Sequence, residues 1–172
     1  MLISPFLQSV NEAPDAACLY RLNGNTWTGF SRQEVLDAAL KLCGQWKNDG
    51  LNPDDRILLL MENRPEWAVT AIASGLYGLV LVPAYTTHRP HEIEYLVDRS
   101  EASAVMTSDG ELFARIQTLS IAASLPLYCA SNDEPSLFSQ IVGGPFQPRS
   151  EDLFEHDRLY ALIATLGTNG LP

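Results

Sequence analysis

The run Ile57-Leu-Leu-Leu-Met61 constrains this chain more than any other five residues. Five apolar side chains in succession cannot alternate between a core and water, so the segment reads as a strand buried on both faces, typical of the centre of a parallel sheet. Parallel strands need crossovers, and the flanking residues supply them. Asn63-Arg-Pro-Glu66 offers Asn as N-cap and Pro in the first turn, opening a helix that carries Trp67, Ala71, Ile72 and Gly75 on one side and ends at Gly78. The small residues of this helix are expected to let it lie close to the sheet. Leu79 to Val82 is the next apolar run and completes a right-handed β-α-β unit.

The alternation extends in both directions. Upstream, Ala17 to Leu22 and Thr26 to Phe30 are β-prone runs separated by Asn23-Gly24-Asn25, a hairpin pattern. Ser31-Arg-Gln-Glu34 is a capping box, after which Val35, Leu36, Ala39, Leu42, Cys43 and Trp46 recur at helical spacing until Gly50. Downstream, Pro90 to Ser100 reads as a helix with Ile93, Leu96 and Val97 inward, followed by a strand at Ala102 to Met106. Ser108-Asp-Gly-Glu111 reads as a second capping box, opening a helix with Leu112, Ile116 and Leu119 on its buried stripe. Pro126 to Cys129 is a further strand, Ser136 to Val142 a short helix, and Gly143 to Glu155 a loop leading to a last apolar run, Leu159 to Ala164. The pattern is that of an α/β three-layer sandwich with a mostly parallel sheet. The strands at Ile57, Leu79 and Ala102 are expected to be parallel and adjacent, with the helices from Ser31 and Asn63 packed on them.

The last apolar run stops in Thr165-Leu-Gly-Thr-Asn-Gly-Leu-Pro172. Gly167 and Gly170 permit positive φ and close backbone approach, while Thr165, Thr168 and Asn169 bring small polar side chains, so the loop can turn N–H groups towards an anion. The same residues would equally make a plain turn after a buried strand. The charge balance bears on this choice. With 21 acidic against 11 basic residues and a net charge of −10, the chain is a poor fit to nucleic acid or an anionic membrane surface. An anion site in so acidic a domain needs locally placed donors or a cation. No stretch reaches membrane-spanning length and the N-terminus has no basic n-region, so no transmembrane segment is expected and a cytoplasmic location is the default. Cys18, Cys43 and Cys129 are widely spaced and read as free thiols, and neither they nor His88, His91 and His156 have metal-ligand spacing.

Thr165-Leu-Gly-Thr-Asn-Gly-Leu-Pro172 resembles the Thr-Ser-Gly-Thr-Thr-Gly-x-Pro-Lys-Gly signature of the adenylate-forming, AMP-binding superfamily, which includes acyl-CoA synthetases, peptide-synthetase adenylation domains and luciferases. Trp27-Thr-Gly-Phe-Ser-Arg-Gln-Glu-Val35, Glu62-Asn-Arg-Pro-Glu-Trp67 and Gly78-Leu-Val-Leu-Val-Pro-Ala84 resemble other parts of the family pattern, in family order. Leu166 stands where the family has a hydroxyl residue, Asn169 where it has threonine and Ala164 where it has an aromatic, and the family's lysine would come after Pro172.

The resemblance implies that residues 1–172 are the N-terminal subdomain of an ATP-dependent carboxylate–CoA ligase, similar to acyl-CoA synthetases and long-chain fatty-acid–CoA ligases. Such enzymes form an acyl-adenylate from ATP and a carboxylic acid, then a thioester with coenzyme A. It also implies that Thr165, Gly167, Thr168, Asn169 and Gly170 bind the nucleotide phosphates, and that no catalytic or metal-binding residue lies in this stretch. ATP, Mg²⁺, coenzyme A, a small carboxylic acid and the remainder of the chain would be partners of the full-length parent. The nucleotide and acyl pockets and the C-terminal domain would lie downstream, so the fragment alone is expected to be inactive and to hold no cofactor. The other reading is a degenerate, non-catalytic relative serving as a binding or interaction module, and Leu166 favours it.

Overall fold

The structure, a computed structural model, describes residues 3–130, 138, 146 and 159–163. In chain order the elements are α1 (Ile3–Glu12), β1 (Ala17–Asn23), β2 (Thr26–Ser31), α2 (Arg32–Asn48), β3 (Arg56–Leu60), α3 (Pro65–Tyr77), β4 (Val80–Ala84), α4 (Pro90–Ser100), β5 (Ala102–Thr107), α5 (Gly110–Gln117), a 3₁₀ turn at Ser120–Ala123, and β6 (Leu127–Cys129). Strands β3 to β6 form one parallel sheet in the order β4-β3-β5-β6, so the three central strands are adjacent as expected. β1 and β2 form a separate antiparallel hairpin, closed at Asn23↔Thr26 by Gly24 at φ +58°.

The unbroken apolar run of β3 fills two cores at once. Alternate side chains of a strand point to opposite faces. Ile57 and Leu59 therefore join one cluster with Val35, Leu42 and Trp46 of α2 and Val69 and Leu76 of α3. Leu58 and Leu60 join another with Ile93 and Leu96 of α4 and Leu112 and Ile116 of α5. Helices on both faces of a parallel sheet are the three layers read from the sequence, and all four of these β3 side chains are fully buried. Among the described residues no helix is long and apolar enough to cross a membrane.

The first capping box is present: Glu34 N–H donates to Ser31 Oγ at 3.2 Å, and Ser31 N–H to Glu34 Oε2 at 2.7 Å. The other two caps differ from expectation. α3 is capped one residue later than Asn63, by Arg64, which makes no side-chain capping bond because a guanidinium has donors and no acceptor. α5 is capped by Asp109 rather than Ser108: the Asp109 carboxylate accepts from Leu112 N–H at 2.9 Å and itself receives the Ser108 hydroxyl. α1 has no counterpart in the sequence reading. Its Ile3 lies where a Cβ on Gly75 would sit, within 2.6 Å, so the missing side chain of Gly75 admits α1 rather than the sheet.

β4 runs to Ala84, past the expected end at Val82, and includes Pro83 paired in register with Leu59. Val80 N–H donates towards β3, to Asp55 O at 2.8 Å, whereas Leu81 N–H donates the other way, to Tyr160 O at 2.9 Å. The alternation turns the nitrogen of Pro83 away from β3, so the missing donor does not interrupt that ladder. The last apolar run lies parallel to β4 through the bridge Leu81↔Ala161, with Leu162 N–H donating to Leu81 O at 2.9 Å. Ala164 and the expected helix at 136–142 and loop at 143–155 lie outside the described residues, apart from Phe138 and Phe146.

Candidate functional site at the carboxyl edge of the sheet

In open parallel α/β sheets, ligands bind in crevices beyond the carboxyl ends of the strands. Here that edge carries Glu62 to Arg64 after β3, Tyr85 and Thr86 after β4, and Ser108 and Asp109 after β5. The last apolar run, expected as a strand buried on both faces, makes a single parallel bridge to β4 and leaves Leu159, Leu162 and Ile163 exposed; it brings Ile163 to the same edge. The loop residues Thr165, Gly167, Thr168, Asn169 and Gly170 lie outside the described residues.

The described part of the edge is organised around Glu66, whose side chain is fully buried at the start of α3. Its Oε1 pairs with the Arg21 guanidinium from the hairpin, and its Oε2 accepts from Arg64 Nε at 2.9 Å. Arg64 Nη1 also donates to Ser108 O at 3.0 Å, so hairpin, α3 and the end of β5 meet on one carboxylate. Beside this cluster, between the hairpin and the turn after β3, lies an open groove of about 600 Å³, lined by Leu22, Trp27, Asn63 and Pro65 among others.

Two further carboxylates face the edge. Burial opposes the charge of Glu62, but hydrogen bonds from the Thr86 hydroxyl, its own N–H and Ser108 outweigh it and hold the carboxyl below its ordinary value. Asp109 is also held low: burial opposes its charge, and Leu112 N–H, the Ser108 hydroxyl, Glu111 N–H and the charge of Arg64 outweigh it. One hydroxyl proton cannot serve both. The 2.7 Å contact from Ser108 Oγ to Asp109 Oδ2 gives it to Asp109, leaving Thr86 as the hydroxyl donor to Glu62. Thr86 is in turn anchored through its carbonyl, which accepts from Arg115 Nη2 at 2.7 Å.

The electrostatic consequence is specific. The N-terminus of α5 is already occupied by the Asp109 carboxylate, and the guanidiniums nearest the edge, Arg21 and Arg64, are bonded to Glu66. An arriving phosphate would find resident anions here, so these groups offer it few free donors. Among the described residues no group of three or more His, Cys, Asp or Glu is arranged to hold a metal ion. Glu62, Thr86, Ser108 and Asp109 were not singled out as site residues by the sequence. Their signal was available, since polar residues follow each buried apolar strand directly.

Both pKa shifts are downward, so Glu62 and Asp109 add stability above their ordinary values of 4.5 and 3.8, and that stability is lost as pH falls through the lowered folded values. The melting temperature should therefore hold down to about pH 4.5 and fall steeply below it. Asp109→Asn, which keeps a capping oxygen, should flatten that acid limb in scanning calorimetry. An unaltered slope would show that Asp109 does not contribute.

A family model for AMP-binding enzymes matches residues 6–172. Long-chain-fatty-acid–CoA ligase 5 of Rattus norvegicus is 30% identical over 108 residues, which is 61% of this chain and 16% of the ligase. Among solved structures, the Klebsiella oxytoca NpsA N-terminal subdomain in complex with 3-hydroxybenzoyl-AMSN superposes with a TM-score of 0.72 at 16% identity, covering 99% of this chain and 39% of that one. O-succinylbenzoate coenzyme A synthetase from Bacillus subtilis, in complex with AMP, gives a TM-score of 0.72 at 18% identity, covering 97% of this chain and 40% of that one. The chain thus spans less than half of the length of each of these relatives. With the fold shared and the family pattern matched from residue 6 to residue 172, the chain belongs to the AMP-binding enzyme family.

Proposed function

We propose that residues 1–172 are the N-terminal subdomain of an ATP-dependent carboxylate–CoA ligase, which would activate an acid as its acyl-adenylate and pass it to coenzyme A in the cytoplasm. The observation that supports this reading is the parallel pairing of Ala161 with Leu81, which leads residues 161–163 towards the carboxyl edge of the sheet, where ligands bind in open α/β folds; the phosphate-binding residues would be Thr165, Gly167, Thr168, Asn169 and Gly170. Backbone N–H groups of that loop would hold the phosphates, with Mg²⁺ offsetting the acidity of Glu62 and Asp109 in the complete enzyme. Similarity to a long-chain-fatty-acid–CoA ligase makes a fatty acid the first substrate to test on the parent. The buried thiol of Cys43, pushed up by its burial, has no part in this chemistry.

The subdomain alone should release no pyrophosphate from ATP with any acid. Amide shifts on titration with ATP and Mg²⁺ test its share of the site: they should concentrate at Thr165 to Gly170, with a dissociation constant weaker than about 100 µM, or −5.5 kcal/mol. Shifts elsewhere would overturn the assignment of the loop. A complete absence of shifts would favour the second reading, a degenerate non-catalytic binding module, which the apolar Leu166 supports.

A further inference from the structure

We propose that the free edge of β1 is a docking site for an extended peptide of a partner protein, which adds to the hairpin as a strand and sets a Lys or Arg side chain against Glu62. The pairing of the hairpin identifies that edge. A two-residue turn at Gly24 and Asn25 makes Asn23↔Thr26 a hydrogen-bonded pair, so Arg21↔Thr28 is the next, and Leu22↔Trp27 and Tyr20↔Gly29 are the non-bonded pairs of the ladder. In a non-bonded pair the N–H and C=O of each residue point away from the other strand. The backbone groups of Tyr20 and Leu22 therefore face outwards. Among the described residues β1 has no strand but β2 beside it, and no backbone hydrogen bond from another element reaches these two residues.

The groove of about 600 Å³ beside the Glu66 cluster runs along this edge. Its lining includes the consecutive β1 residues Leu19 to Asn23, and Glu62 to Pro65 form the opposite wall. Successive side chains of a strand point to opposite faces, so a cavity touching the whole run lies against the edge and not against one face. Edge strands are commonly guarded by Lys, Pro or a bulge. The irregularity of β1 falls before Leu19, and Leu19 to Asn23 contains neither Lys nor Pro. The Tyr20 ring leans over Gly29 of β2, 3.2 Å from where a Cβ would sit, which leaves its outward backbone uncovered. The ion pair of Arg21 with Glu66 holds the edge in place before any guest arrives.

The side chains define the guest. Tyr20, Leu22 and Trp27 share the outer face of the hairpin and are 57%, 53% and 65% exposed, an apolar ledge for alternate residues of an added strand. Across the groove Glu62 is exposed, is held by the Thr86 hydroxyl, and makes no ion pair among the described residues. Arg21 and Arg64, on the same lining, are bonded to Glu66. The uncompensated charge of the groove is thus a carboxylate, in a chain of net charge −10, and the complementary strand alternates apolar and basic residues.

Amide exchange on the 172-residue chain, alone and with a short end-blocked peptide of alternating Lys and Val, tests this. In the free chain the amides of Tyr20 and Leu22 should exchange as open ones, while those of Arg21 and Asn23, bonded to β2, are protected. The peptide should slow exchange at Tyr20 and Leu22 by about tenfold, the equivalent of one hydrogen bond. Glu62→Gln should weaken its binding by about two- to fivefold, as expected of an exposed ion pair. The same peptide N-methylated at alternate residues should not bind, and neither should one of alternating Glu and Val. Protection of Tyr20 and Leu22 in the free chain would show the edge already paired and overturn the proposal. Protection that rises with protein concentration would assign the edge to a second copy and overturn the partner. Equal binding of the N-methylated peptide would overturn strand addition, and equal binding of the acidic peptide, or of the Lys peptide to Glu62→Gln, would overturn the role of Glu62. These readouts involve no nucleotide, so they stand or fall apart from the ligase reading.

Discussion

Glu66→Ala should destabilise the fold by about 3–5 kcal/mol, because it removes the one carboxylate that two nearly buried guanidiniums share. Removing one member of a buried ion cluster leaves its desolvated partners short of counter-charge, which costs more than the intact cluster contributes. Arg21 would keep its position over the Phe30 ring, 5.2 Å from the centroid, and Arg64 its bond to Ser108 O, so part of the loss is offset. The damage should be local before it is global. The hairpin touches the rest of the molecule through its inner face, and a two-stranded sheet is marginal by itself, so exchange protection in β1 and β2 should collapse first. Replacing all three charges together, Arg21→Met, Arg64→Met and Glu66→Leu, should be much milder than Glu66→Ala. Urea titrations of the two proteins measure the difference; a cost below about 1 kcal/mol for Glu66→Ala would show that the cluster is not desolvated.

The regular part of this fold was legible because its signals are local and redundant. Continuous apolar runs at Ile57, Leu79 and Ala102 give the central strands, and the crossover rule gives their shared sheet and parallel direction, whereas their order, with β3 between β4 and β5, is seen only in the structure. Caps were legible only where a single residue had no rival. Ser31 has none, whereas α3 begins one residue beyond Asn63, after Arg64, and Asp109, next to Ser108, takes the cap by accepting from Leu112 N–H. Pro83 shows the same limit from another side. Proline in a strand reads as an end, and only knowledge of which neighbour its nitrogen faces shows that the β3 ladder runs on past it to Ala84. α1 was illegible because its burial depends on a gap at Gly75, more than sixty residues away. The clamp on Glu66 is non-local in the same sense, joining residues from β1 and α3 that no spacing connects. As for the loop at Thr165 to Gly170, the sequence supplied its composition, and the structure adds the bridge of Ala161 to Leu81 a few residues before it.

Trp46→Ala should lower stability by about 3–5 kcal/mol, the range for removing a buried aromatic that its surroundings cannot collapse around. The indole is fully buried between α2 and α3, with the Tyr77 ring set edge-on to it at 6.0 Å and 76°. Tyr77 is fixed in turn, donating to Leu51 O at 2.6 Å, while Leu51 N–H donates to Trp46 O at 3.0 Å. The site is held on every side and would keep its cavity. Trp46→Phe is the informative contrast. It retains a ring for the Tyr77 contact, worth about 0.5–1.5 kcal/mol, and it removes the indole N–H, which has no hydrogen-bond partner among the described residues. A buried donor without a partner costs about 1–3 kcal/mol, so its removal should offset much of the lost volume, and the phenylalanine variant should lose less than half of what the alanine variant loses. Denaturant titrations followed by circular dichroism avoid dependence on tryptophan emission, which the substitution itself changes. If phenylalanine proves as costly as alanine, the indole N–H is satisfied in solution, and residues outside the described set become the place to look for its acceptor.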